Sequence, residues 1–113
     1  MLSDSRYTSR VVNVEDRIFK IQVLNFENGN FISVSEGSEK IGSMMASIGT
    51  GFIPATTTII PGKTSPLFLK LISEQVSAST KGIAIVSAFV EKELKPETTK
   101  ALMNSILEIV QNE

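Results

Sequence analysis

The sequence predicts an α+β fold of six strands and two helices in the order βββββαβα. Three observations carry that expectation. Residues 17–26 alternate Phe19, Ile21 and Val23 with Lys20 and Gln22, the period-2 pattern of a strand with one buried and one wet face. Asn28-Gly29 follows, a dipeptide that supplies the positive φ angles of a tight hairpin turn. Two later segments, opening at Pro66 and Pro96, space their apolar residues three and four apart, as a helix with one buried stripe does.

The elements follow in order. Residues 1–7 are polar and read as a disordered tail, leaving 8–113 as a single domain. Thr8 to Val14 is the first strand, with Val11 and Val12 in a β-rich context, and Glu15-Asp16 turns it into the second, Arg17 to Phe26. Phe31 to Ser35 returns antiparallel, with Ile32 and Val34 sharing the buried face. The polar break from Glu36 to Lys40 leads to a fourth strand over Ile41 to Ser47. Two glycines and a proline make Ile48 to Pro54 a loop. Ala55 to Ile60, three threonines and two isoleucines, is the fifth strand.

Ser65 before Pro66 matches an N-cap followed by proline in the first helical turn. The helix runs to about Ser77 with Leu67, Phe68, Leu71, Ile72 and Val76 as its apolar stripe. Gly82 to Glu91 is the sixth strand, apolar on both faces and so expected in the centre of the sheet, covered on both sides. The last helix starts at Pro96 and buries Leu102, Ile106 and Ile109.

Composition narrows the function. A chain of 113 residues suits one domain with one core, and its 42% apolar content supports folding. Eleven basic residues face twelve acidic ones, so no net positive field draws the chain to nucleic acid. The uncharged run from Ile41 to Gly62 is broken by Ser, Thr, Gly and Pro and does not read as a membrane span. The N-terminus has no apolar stretch of the secretory kind, which points to the cytoplasm. Without His or Cys the commonest general base, nucleophile and metal ligands are missing, so no enzymatic activity, metal or cofactor is expected.

The remaining motifs stay structural. Gly62-Lys63-Thr64 resembles the end of a phosphate-binding loop, but Thr57 stands where that loop needs its first glycine, and Pro61 removes a backbone donor. Gly49-Thr50-Gly51 lacks the third glycine of a dinucleotide fingerprint, since Pro54 occupies its place. Glu36 with Glu39, and Glu91 with Glu93, read as solvated turn charges. Met44 and Met45 read as core filler.

Over residues 11–110 the chain resembles the proteasome assembly chaperone 3/4 family. The residues concerned are Lys40-Ile41-Gly42-Ser43 after an alternating strand, Thr56-Thr57-Thr58-Ile59-Ile60 with Gly62, and Pro66-Leu67 opening an amphipathic helix. The apolar strand from Gly82 to Val90 and a Leu- and Ile-rich terminal helix complete it. The short connector from Gly49 to Pro54 and the missing cysteines depart from the family pattern. The resemblance implies a six-stranded antiparallel sheet with two helices. It also implies a homodimer, or a heterodimer with a related chaperone 4-like subunit, that binds proteasome α subunits and orders α-ring assembly without ATP. A scaffold subunit of the roadblock or longin type and a small-ligand-binding α+β domain are the alternatives.

Two surfaces are singled out. Two helices are few to cover a sheet whose sixth strand is apolar on both sides, so Ile83, Ile85 and Phe89 are expected at a dimer interface. Ile48, Phe52 and Ile53 lie in a glycine-containing connector with no periodic reason for burial, and are expected to contact the partner.

Overall fold

The computed structural model describes residues 6–62 and 66–111. Its elements are β1 (Tyr7–Val14), β2 (Arg17–Phe26), β3 (Gly29–Glu36), β4 (Ser43–Ile48), β5 (Ala55–Ile60), α1 (Pro66–Thr80), β6 (Ile83–Phe89) and α2 (Pro96–Gln111). The expected order βββββαβα is the observed one. β1 takes in Tyr7, which pairs with Leu24, one residue before the expected start of the first strand at Thr8. Lys63, Thr64 and Ser65, and with them the phosphate-loop fragment and the N-cap, lie outside the described residues.

The strands form one sheet in the order β1-β2-β3-β6-β4-β5. The expected all-antiparallel sheet needs one correction, because β3 and β6 run parallel. After β3 the chain skips a strand position before laying down β4 and β5, and β6 later fills the vacant slot, antiparallel to β4. Adjacent strands lie about 4.8 Å apart, so the segment from Gly37 to Gly42 spans roughly 10 Å, well within its reach.

The expected hairpin forms between β2 and β3, with Phe26 opposite Gly29 across Glu27-Asn28, but without the expected positive φ angles. Positive φ angles occur at Glu15 (54°) and Asp16 (63°), between β1 and β2, where two left-handed residues match the twist of the hairpin. Gly29 has no positive φ and serves close approach instead, since a Cβ there would run into the carbonyl of Ile83 on β6. α1 ends with Lys81 at φ 54° and the Gly82 amide donating to the Ser77 carbonyl at 3.1 Å. This Schellman-type stop aims the chain into β6.

Both helices lie on one face of the sheet. Against them pack Phe19, Ile21 and Val23 of β2, Ile32 and Val34 of β3, and Ala84, Val86 and Ala88 of β6, all buried. α2 sits over β1 and β2, and α1 over β4 and β6. α1 is rotated from the expected stripe: Phe68, Leu69, Ile72 and Val76 enter the core with Ser73 and Ser77, while Leu67 and Leu71 stay exposed. Ser73 is satisfied within the helix, its hydroxyl donating to the Lys70 carbonyl at 3.2 Å, and Ser77 fits because β4 and β5 answer with hydroxyls. Ser77 Oγ donates to Ser47 Oγ at 3.0 Å, Thr56 Oγ1 lies 3.1 Å from Ser47 Oγ, and the Thr56 hydroxyl donates to Glu74 Oε2 at 2.7 Å. β5 contributes no residue to the apolar core.

Glu36 is not a solvated turn charge. Arg17 grips its carboxylate with two nitrogens, at 2.8 and 2.7 Å, and both side chains are only 9% exposed. The same guanidinium donates to the carbonyls of Lys92 (3.0 Å) and Glu93 (3.1 Å), and Glu36 Oε1 accepts the Glu91 amide at 2.9 Å. The pair thus ties β2 and β3 to the connector between β6 and α2. The hydrogen bonds from Arg17 hold the Glu36 carboxyl below its ordinary value of 4.5; burial opposes this, while the Glu91 amide and the charges of Arg17 and Lys92 add to it.

A depressed folded-state pKa gives stability that is present above the unfolded value and lost as pH falls through the folded one. Thermal unfolding followed across pH should therefore show acid loss beginning only below about 4.5 for this pair. Glu36→Ala should cost about 3 kcal/mol near neutral pH, because it leaves Arg17 buried and unpaired, and its acid profile should be shallower. An acid profile parallel to that of the wild type would assign the acid loss to another carboxylate.

Candidate functional site

Pairing register defines what lies on the sheet face away from the helices. Tyr7, Ser9, Val11 and Asn13 of β1 share it with Ile18, Lys20, Gln22, Leu24 and Phe26 of β2. Phe31, Ser33 and Ser35 of β3 continue it, followed by Ile83, Ile85, Ser87 and Phe89 of β6, then Met44, Ala46 and Ile48 of β4. No described helix covers this face; the connector from Gly37 to Gly42 reaches over one part of it, where Ser35, Ser87 and Met44 are buried and the Gly42 amide donates to Ser87 Oγ at 3.0 Å. Tyr7, Val11, Ile18, Leu24, Phe26 and Ile48 are each between 41% and 62% exposed, an apolar sheet surface far broader than scattered single residues.

The three residues expected at a dimer interface, Ile83, Ile85 and Phe89, all lie here, half-buried by their neighbours. β6 is central, as its sequence implies, but within this chain only its Ala84, Val86 and Ala88 face is covered by helices. Lys40 reaches over the Phe89 ring, 5.3 Å from its centroid. Lys20 donates to Glu39 at 3.0 Å, and that hydrogen bond raises its pKa. The face therefore combines apolar rows with a few oriented polar groups, the composition of a protein-recognition surface.

The three residues expected to contact a partner divide. Ile48 is the last residue of β4 and sits opposite Ile83, so it belongs to the uncovered face rather than to a loop. Phe52 is fully exposed and Ile53 is 81% exposed at the tip joining β4 to β5. Neither tucks into the core. Gly49 does not supply mobility there: its amide donates to the Gly82 carbonyl at 2.8 Å, and a Cβ would strike the Ser77 carbonyl at the end of α1. The tip thus projects from a fixed base.

Sequence reading missed Val11, Ile18, Leu24 and Phe26. The signal was present, because Ile18, Leu24 and Phe26 break the clean alternation of β2 by placing apolar side chains on the face that Lys20 and Gln22 make look wet. On the opposite side of the molecule, Leu67, Leu71, Leu94, Pro96 and Met103 line a groove of about 340 Å³ between α1 and α2. Among the described residues no cluster of three or more acidic side chains could hold a metal ion, and no helix is long and apolar enough to cross a membrane.

The described chain is a single sheet with both helices on one side and a largely uncovered face carrying exposed apolar residues on the other. No protein-family model matches the sequence, and no curated protein matches it either. The fold does match a solved structure. A chain in the crystal structure of a chaperone complex for yeast 20S proteasome assembly superposes with a TM-score of 0.65, covering 93% of this chain and 97% of that one, at 10% sequence identity. The likeness is one of fold, and it spans nearly the whole of both chains.

The geometry of the tip makes a separable pair of variants. Phe52→Ser combined with Ile53→Ser should leave the free energy of chemical unfolding within about 0.5 kcal/mol of wild type, as exposed substitutions do. Gly49→Ala should lower it by about 1–3 kcal/mol through overpacking against α1. The reverse ranking would mean that the tip packs against the domain in solution.

Proposed function

We propose that the chain is an ATP-independent assembly chaperone that binds proteasome α subunits and promotes ordered α-ring formation. The fold shared with the yeast proteasome assembly chaperone over almost the full length of both chains is the observation that carries this reading. The largely uncovered apolar sheet face supports it. Orienting subunits requires complementary surfaces and a difference in affinity between correct and incorrect neighbours, with no bond made or broken.

In this reading the chain acts in the cytoplasm as a dimer, with itself or with a chaperone 4-like subunit, and Ile83, Ile85 and Phe89 lie at the dimer interface. Tyr7, Val11, Leu24 and Phe26 widen that interface toward the β1 edge. A stable interface buries about 1,200–2,000 Å² in total, which a six-stranded sheet face can supply. The projecting tip of Phe52 and Ile53, rooted beside Ile48, grips the α subunit. No catalysis, metal, cofactor, nucleic acid or membrane takes part.

The test is to incubate the purified protein with individual α subunits and follow complex formation and ring assembly by native mass spectrometry, with and without ATP. Complexes and accelerated rings should form equally in both conditions. The paired change of Phe52 and Ile53 to serine should weaken α-subunit binding by about 1–4 kcal/mol, the range of a lost hot spot. Light scattering should show a dimer at micromolar concentration, alone or with the chaperone 4-like subunit, and a monomer after Ile85→Asp. Capture of GTPases instead of α subunits from native lysate would place the chain among roadblock or longin scaffolds, and a wild-type monomer in both conditions would remove the dimer.

A further inference from the structure

The two edges of the sheet are guarded unequally. β1 carries Arg10, whose side chain turns toward the helix layer and pairs with Glu108 of α2 at 2.6 Å. An inward-pointing charge on an edge strand is a device that discourages another strand from adding to it. β5 has none. It pairs only with β4 among the described residues, and from Ile41 to Gly62 the chain bears no charge at all. Its residues, Ala55 through Ile60, are all exposed except Thr56, which is partly buried, and three threonines and two isoleucines give it strong β character.

We propose that the free edge of β5 is a strand-addition site that takes an extended, uncharged segment of a protein partner, rich in β-branched residues, as a seventh strand. A row of unpaired amides and carbonyls is satisfied repeatedly only by another extended backbone, so the edge itself specifies the geometry of its occupant. The absence of charge specifies its chemistry. Pro54 and Pro61 bracket the strand, and the bulge that makes Ile59 an extra residue against β4 limits the run further, so the added strand is short and its register fixed. Thr56 is anchored to Glu74 and lies beside Ser47, which holds β5 in place without a charge on its outer edge. Phe52 and Ile53 immediately precede the strand and stand at its end. The edge is therefore continuous with the tip assigned to the α subunit, and in naming that subunit as the occupant the inference rests on the proposed function. Face-to-face packing of two sheets leaves the edge free.

Hydrogen exchange of the β5 amides reads the site directly. Two probes are added separately: an α subunit, and a capped hexapeptide alternating threonine and valine, which does not depend on the chaperone reading. Both should slow exchange at alternate amides from Thr56 to Ile60 at least tenfold. Successive amides point to opposite edges, so one of Thr57→Pro and Thr58→Pro removes a ladder bond to β4 and lowers the melting temperature. The other removes only an outward donor, and should cut α-subunit affinity at least tenfold with the melting temperature retained. Binding of α subunits without protection of β5 would overturn the edge site and leave the proposed function standing. Protection by the peptide, with no α subunit bound, would support the edge site and remove the chaperone reading. Slowing with protein concentration alone would overturn the partner strand in favour of a second copy, and no slowing with either probe would overturn the site altogether.

Discussion

The insertion of β6 between β3 and β4 is the constraint on which the rest of the structure depends. A strand in that slot is paired along both edges, with β3 and with β4, and packs one face on the helices. It can present only small and branched side chains to the helices, and Ala84, Val86 and Ala88 do so, letting α1 approach closely. Its other face is then fixed by the strand period, and Ile83, Ile85 and Phe89 are carried to the side that no helix reaches. The same insertion explains the glycines on either side. Gly29 and Gly42 lie where backbone meets the Ile83 and Ala88 carbonyls of β6, with no room for a side chain.

The buried pair of Arg17 and Glu36 completes that arrangement at the end of β6 where the chain leaves for α2. One guanidinium and one carboxylate bind three backbone groups of the connector, the amide of Glu91 and the carbonyls of Lys92 and Glu93, and so fix its course. Arg17 also lies over the Phe19 ring, 5.1 Å from its centroid, which places the charge against the apolar core without a gap. The path of the chain into α2 is therefore set by β2 and β3, while Pro96 sets where the helix starts.

Much of this was legible in the residues. The limits of β2 and β5 and the first residues of both helices follow from alternation and from proline. The surface residues Ile83, Ile85 and Phe89 follow from a strand with apolar residues on both faces and too few helices to cover them. What was not legible is non-local. The parallel pairing of β3 with β6 depends on a slot that no periodicity in either strand records. The rotation of α1 buries Ser73, whose hydroxyl is satisfied by the Lys70 carbonyl, and Ser77, which meets the hydroxyl of Ser47 on β4, where propensity alone places Leu67 and Leu71 inward. Asn28-Gly29 carries the pattern of a primed turn, yet its glycine answers a steric demand from a strand far along the chain, while the less typical Glu15-Asp16 adopts the left-handed pair. Ser47 and Ser77 gave no warning of a shared network because each reads as an ordinary surface residue.

That hydroxyl network makes the molecule mechanically uneven. The half built on β2 and β3 is held by apolar side chains with no solvent access, with Val12 and Val14 of β1 packed partly buried against it, whereas β5 is held by its ladder to β4 and by small polar groups bridging to α1. Hydrogen bonds among hydroxyls contribute about 1 kcal/mol each, less than a buried branched side chain. Native-state opening is graded by such differences, and segments with few apolar contacts open at the lowest free energy. β5 is thus the segment of the other half with the least apolar anchorage, and it has room to adjust to an irregular neighbour while β4, paired on both edges, keeps its place.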